Sequence, residues 1–170
     1  MAERERIREK EAESTEVHYY DDIYNLWASR RETNKTGRVV IKGSEMPWEQ
    51  SRQARLKHFL HPVITDTVSF GWFVFIQDIR TQSGKHVHQG GLSLYVLEGT
   101  GWTVVDGVRH DWEEGDLILL PVKPRGCEHQ HFNAKPGTPC KWLAIIYDPF
   151  INVLGNELTQ REMSPDWTHA

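Results

Sequence analysis

The chain of 170 residues carries 20 basic and 24 acidic side chains, a net charge of −4 with histidine neutral, and 38% apolar residues. That length suits one domain with one core, and the acidic balance argues against a nucleic-acid partner, which would want a basic stripe. No apolar run approaches the roughly 18 residues of a membrane span, and the charged start MAERERIREKEAE lacks a signal-peptide core, so no membrane association is expected.

Two cysteines, Cys127 and Cys140, cannot build a disulfide framework, which points to a reducing cytoplasm. In chain order, residues 1–14 alternate in charge and read as a solvated helix or a disordered tail. Residues 20–32 place Ile23, Leu26 and Trp27 at i, i+3, i+4 spacing, an amphipathic helix whose stripe needs cover from the rest of the chain or a second subunit. RVVIKG (38–43) predicts a short strand, MPWEQ (46–50) a turn, and RQARLKHFLHP (52–62) a loop or helical turn stopped by Pro62.

From Thr65 the character changes. TVSFGWFVFIQDI is rich in β-branched and aromatic residues on both alternating faces, as a strand buried on two sides would be. LSLYVLEG, GWTVVDG, HDWEEG, DLILLP and CKWLAIIYDP follow at short spacing, separated by Gly-, Asp- and Pro-containing turns. Such spacing predicts a sandwich or barrel. The expected organisation is an N-terminal arm over 1–65 with an assembly role, a β domain over 66–148 and a polar tail over 149–170.

Nine histidines invite a metal question that spacing can narrow. His86 and His88, in SGKHVHQGG, share a face of an extended segment; His129 and His131, in EHQHFN, do the same. Any one of them could be an ordinary turn or core histidine. Two such pairs, each beside a strand, point more strongly to a nitrogen site for Fe(II), Zn, Cu or Ni.

The stretch from Gly84 to Asn133 resembles the two motifs of the cupin superfamily. The first is His86-x-His88 followed by LSLYVLEGTG with Gly99 and Gly101. The second is Gly115-Asp116, then Pro121, then Gly126-x-x-His129-x-x-x-Asn133, with the short insertion VKPR before Gly126. The resemblance implies a mainly β fold, a single antiparallel cupin barrel of jelly-roll type with a partly helical N-terminal arm. It also implies a metal at the barrel mouth held by His86, His88 and His129. Many cupins add a glutamate ligand where this chain has Leu92, so a three-histidine centre is implied, as in gentisate-type, thiol and diketone dioxygenases. The run His129-Gln130-His131-Phe132-Asn133 resembles the corresponding segment of gentisate-type enzymes, which makes His131 an acid/base group or a structural hydrogen-bonding partner near the metal. Those enzymes carry an arginine for the substrate carboxylate near the position of Leu94. Here Leu92, Leu94 and Val96 form the inward set, and a neutral aromatic or ketone-bearing substrate suits that wall better.

The resulting expectation is a non-haem Fe(II)-dependent dioxygenase, with Zn, Mn, Ni or Cu as other metals the site would accept. It would cleave a carbon–carbon bond of a small hydroxylated aromatic, hydroxy-ketone or diketone substrate with O₂. The alternatives are a metal-dependent isomerase or lyase on the same barrel, or a non-catalytic ligand-binding cupin, since the fold alone does not decide function. Gln89 is a catalytic candidate through a metal-bound water, or an exposed turn amide. Cys127 could face the metal or serve as a small buried hydrophobe. His58 and His61, at i, i+3, lack a completing ligand and read as packing or surface. Trp72, Phe73 and Phe75 line a cavity or fill the core, as do Trp102 and Trp112. The apolar arm predicts a homodimer or higher homo-oligomer.

Overall fold

The structure, a computed structural model, describes residues 17–168. The expectation for residues 1–14 lies outside them.

The first element is α1 (Tyr19–Thr36), which ends where the Gly37 N–H bonds the Thr33 carbonyl. None of its residues is buried: Ile23, Leu26 and Trp27 are 47%, 49% and 56% exposed. The predicted stripe therefore finds no full cover among the described residues. The helix end is tied down by Arg38, whose backbone N–H and Nη2 both bond Asp66.

RVVIKG does not form the predicted strand. Only Arg38 makes a bridge, to Thr67, and Val39 and Val40 stay exposed; β propensity without a partner edge makes no ladder. The neighbouring expectations also change. Glu49–Gln50 is a short strand, β1, and Arg55–Leu60 is a six-residue strand, β2, rather than a loop or helical turn. β2 lies antiparallel to β3 (Trp72–Asp78), with Leu56 opposite Gln77 and His58 opposite Phe75. The edge of β3 supplies the hydrogen bonds that decide the matter. β3 itself is half-buried over most of its length and exposed at Trp72.

Eight further strands follow: β4 (Lys85–His88), β5 (Leu92–Glu98), β6 (Thr100–Val105), β7 (Val108–Glu113), β8 (Leu117–Leu120), β9 (Cys127–Asn133), β10 (Lys141–Tyr147) and, after the short helix α2 (Asp148–Val153), β11 (Thr159–Glu162). They form two antiparallel sheets, in the order β1-β2-β3-β10-β5-β8 and β11-β4-β9-β6-β7. The pleat sends Leu92, Leu94 and Val96 of β5, and Trp142 and Ala144 of β10, between the sheets, where they meet Ile118, Leu120 and Trp112. Burying a side chain of this size stabilises the fold by about 1.5–3 kcal/mol. The tail is not merely a surface wrapping. β11 pairs with β4, setting Gln160 opposite His86 and Thr159 opposite Val87, so the C-terminal segment braces the strand that carries the first histidine pair.

A candidate metal centre

The register of β4 against β9 builds the site. His86 lies opposite His129 and His88 opposite Cys127. Directly paired residues share a face, so His86, His88 and His129 converge although more than 40 positions separate the two strands in the chain. The ring centroids are 4.9 Å apart for His86 and His88, 4.2 Å for His86 and His129, and 4.6 Å for His88 and His129. One ligand nitrogen from each lies within 4.8 Å of the others.

Each ring is oriented by a backbone carbonyl on its Nδ1 side: Gly84 for His86 at 3.4 Å, Gln89 for His88 at 2.7 Å and Cys127 for His129 at 2.9 Å. A carbonyl can only accept, so Nδ1 carries the proton and Nε2 keeps its lone pair. Burial, followed by the neighbouring imidazoles, pushes His86 down to about 3 and His129 well below the ordinary histidine range; burial also lowers His88. All three rings are neutral near pH 7, which is the form that ligates a metal. Three neutral, pre-oriented nitrogen donors, two buried and that of His88 half-buried, fit a divalent transition metal. Among the described residues, no carboxylate joins this group.

His131 lies farther along the same inward face of β9, its ring centroid 5.5 Å from that of His129, and is not among the convergent ligands. Its Nδ1 sits 2.7 Å from the Thr103 hydroxyl, which also accepts the Trp112 Nε1–H at 2.9 Å. The hydroxyl keeps one proton and a second lone pair, so it either donates to Nδ1, which puts the neutral ring's hydrogen on Nε2, or accepts an Nδ1–H. Burial holds His131 at about 3.

Gln89 is placed differently from the sequence expectation. Its Nε2 donates to the Lys123 carbonyl at 2.8 Å, and its Oε1 accepts the N–H groups of Gly90 and Lys123, both at 3.0 Å. The amide clamps two loops through three hydrogen bonds, and the second hydrogen on Nε2 remains uncommitted. The loops fit closely here: a Cβ on Gly90 would lie 1.9 Å from the Pro121 carbonyl oxygen. Asn133, the last residue of the second motif, likewise ties backbone together, donating to Thr138 and accepting from Lys135, both at 2.8 Å. Cys127 is buried with its thiol pushed up to about 11 by burial, and so is protonated.

A cavity of about 320 Å³ opens beside His86 and His88. Its walls are Leu56, Phe73, Phe75, Leu92, Ile146 and Ile151, with Gln53, Gln77, His61, Asp148 and Asn156 as polar members. It holds no lysine or arginine. Phe73 and Phe75 thus line the cavity, whereas Trp72 faces outward, Trp112 lies in the core, and Trp102 stacks on Phe132 under Arg109. A larger groove of about 750 Å³, between β7 and β8, contains none of the three ligand histidines. The site also draws on Leu56 and Gln77, which the sequence did not single out, and on His61, which it read as packing or surface; all three come from or beside β2 and β3. Only recognition of β2 as a strand could have placed them.

The model of the cupin domain matches residues 73–146. Among solved structures, a salicylate 1,2-dioxygenase variant from Pseudoaminobacter salicylatoxidans, in complex with gentisate, is similar at 22% identity and a TM-score of 0.51, covering 86% of this chain and 39% of that one. A cupin 2 conserved barrel domain protein from Salinispora arenicola is 16% identical with a TM-score of 0.51, covering 69% and 95% of the two chains. Streptomyces PAC13 with uridine is 11% identical with a TM-score of 0.54, covering 75% and 94%. The chain thus spans about two fifths of the length of the dioxygenase it resembles. No protein of curated function matches the sequence. At these identities the likeness is one of fold. Residues 73–146 thus match the model of the cupin domain, and the two antiparallel sheets around the three histidines share the fold of these structures.

Proposed function

We propose that this chain is a non-haem Fe(II)-dependent dioxygenase that cleaves a carbon–carbon bond of a small hydroxylated aromatic, hydroxy-ketone or diketone substrate with O₂. The observation that carries the reading is the set of three neutral imidazoles, His86, His88 and His129, beside an apolar cavity without a carboxylate ligand. When bound, the iron supplies redox chemistry and Lewis acidity, with coordination positions left over by three protein ligands. Neutral ligands add no negative charge, which favours a substrate that arrives as a chelating oxygen anion. The protein's own residues then do the rest. Leu92, Phe73 and Phe75 exclude water from the reacting end, and His131, in the tautomer with its hydrogen on Nε2, presents an N–H near the ligand set, where it steadies an oxygen or returns a proton. Gln89 contributes by holding the loop that follows His88.

The same reading includes a homodimer in a reducing compartment. Cys127 and Cys140 are both free, and no helix among the described residues is long and apolar enough to cross a membrane. The outer face of the six-stranded sheet exposes Trp72, Tyr95, Leu117, Leu119, Ile145 and Tyr147. These are neighbours by register, Tyr95 opposite Leu117 and Tyr147 opposite Trp72. An apolar patch of this kind suits a second subunit.

The decisive experiment is metal analysis of protein purified without oxygen, then oxygen uptake with catechols, hydroquinones, hydroxyacetophenones and diketones. Iron-dependent uptake with one of these classes is expected. Stoichiometric zinc, with no uptake after Fe(II) reconstitution, overturns the proposal.

A further inference from the structure

His61 stands just after β2, where its sequence context suggested packing or surface. Its ring borders the same cavity as His86 and His88. The orientation is held from several sides. The ring meets Phe73 edge-on at 5.1 Å and 80°, and meets His58 at 5.5 Å and 77°. His58 in turn stacks on Phe73 at 5.3 Å and 9° and is hydrogen-bonded to Glu49 at 3.0 Å.

The tautomer is also set. His61 Nδ1 accepts the Val63 N–H at 3.2 Å, so it is unprotonated and the neutral ring carries its hydrogen on Nε2. Burial and the neighbouring His58 lower its pKa, which favours that neutral form. Among the described residues, no protein group takes the Nε2–H. Of the side-chain amides on this wall, Gln53 Nε2 donates to Gln160 Oε1 at 2.8 Å, Gln77 Nε2 to the Gln53 carbonyl at 3.3 Å, and Asn156 Oδ1 accepts the Gln89 N–H at 2.9 Å, while Gln53 Oε1, among the described residues, is an acceptor without a partner.

We propose that His61 determines substrate specificity, its Nε2–H donating to a neutral carbonyl or hydroxyl oxygen at the end of the substrate away from the metal-binding end. A carboxylate is a poor occupant of that position. The cavity offers it no lysine or arginine, and Asp148 lines the same space. The substrate class that follows is an aromatic or enolisable chelator with an apolar body and one uncharged oxygen acceptor remote from the chelating pair. The inference rests on the proposed binding of a chelating substrate at the three histidines.

The test uses the full chain loaded with Co(II), whose visible absorption reports ligand binding, titrated with catechol, 4-acetylcatechol and 3,4-dihydroxybenzoate. The wild type is expected to bind 4-acetylcatechol roughly two- to tenfold more tightly than catechol, the range for one added hydrogen bond, and the carboxylate least well. His61→Phe should bring the ratio of the first two affinities to about 1, and His61→Gln, which retains an N–H donor, should restore part of it. Because the readout is a ratio within one variant, altered folding does not mimic it. Catechol binding without a preference in the wild type, or a preference that survives His61→Phe, overturns the role of His61 and leaves the dioxygenase reading intact. Normal Co(II) loading with no binding of either catechol overturns both.

Discussion

Thr103 is the point at which the tertiary structure makes its sharpest demand on one atom. Its hydroxyl, fully buried, joins two other buried polar groups, the Trp112 indole N–H at 2.9 Å and His131 Nδ1 at 2.7 Å. Thr103→Val keeps the shape and removes the oxygen. Two buried polar groups then lose their partner at about 1–3 kcal/mol each, so the substitution should destabilise the fold by about 2–6 kcal/mol. For a domain of this size each kcal/mol moves the melting temperature by about 2–4 °C, which predicts a fall of roughly 4–24 °C. Thr103→Ser keeps the hydroxyl and should cost about 1 kcal/mol, for the lost methyl. Metal stoichiometry should not change in either variant, since the three ligating rings are anchored elsewhere. Differential scanning calorimetry and metal analysis on the same samples give both quantities. A Thr103→Val protein within about 0.5 kcal/mol of the wild type would refute the network.

Four further outcomes are expected. His86→Ala or His129→Ala should abolish stoichiometric metal binding by elemental analysis, whereas His131→Ala should retain the metal and slow turnover. Chelation of the wild type should lower its melting temperature, because a metal at 1,000 times its dissociation constant adds about 4 kcal/mol. Asp106 accepts the Glu128 N–H at 2.9 Å and pairs with Lys123, and that pair holds its pKa below the usual carboxylate value. The unfolded chain therefore takes up a proton here at a higher pH than the folded one. The contribution is present above about pH 4 and is lost as pH falls through the folded value. Asp106→Asn, which tolerates the positive φ of 47°, should flatten the acid limb of a stability-versus-pH curve in urea. Ile145→Glu, in the middle of the exposed sheet face, should turn a dimer into a monomer in light scattering without lowering metal content.

The histidine pairs were legible in the sequence because a strand has period two: His86 and His88, or His129 and His131, must share a face wherever the strand lies. The inward set Leu92, Leu94 and Val96 follows from the same rule and is buried as expected. Alternation cannot say which strand lies beside which. The pairing of His86 with His129, which turns two doublets into three ligands and leaves His131 outside, is a long-range register set by the sheet. β2 was opaque for the same reason. RLKHFL becomes a strand only because β3 offers an edge, and with it Leu56 and His61 come to the cavity. RVVIKG, better endowed with β-branched residues, finds a single bridge and stays irregular. Gln89, next to a ligand in sequence, is drawn by three hydrogen bonds to the backbone of Gly90 and Lys123. The sequence by itself determined which residues could ligate and which faces were apolar, because local periodicity governs both. Only the tertiary structure decided which of those faces meet, because that depends on hydrogen bonds between strands far apart in the chain.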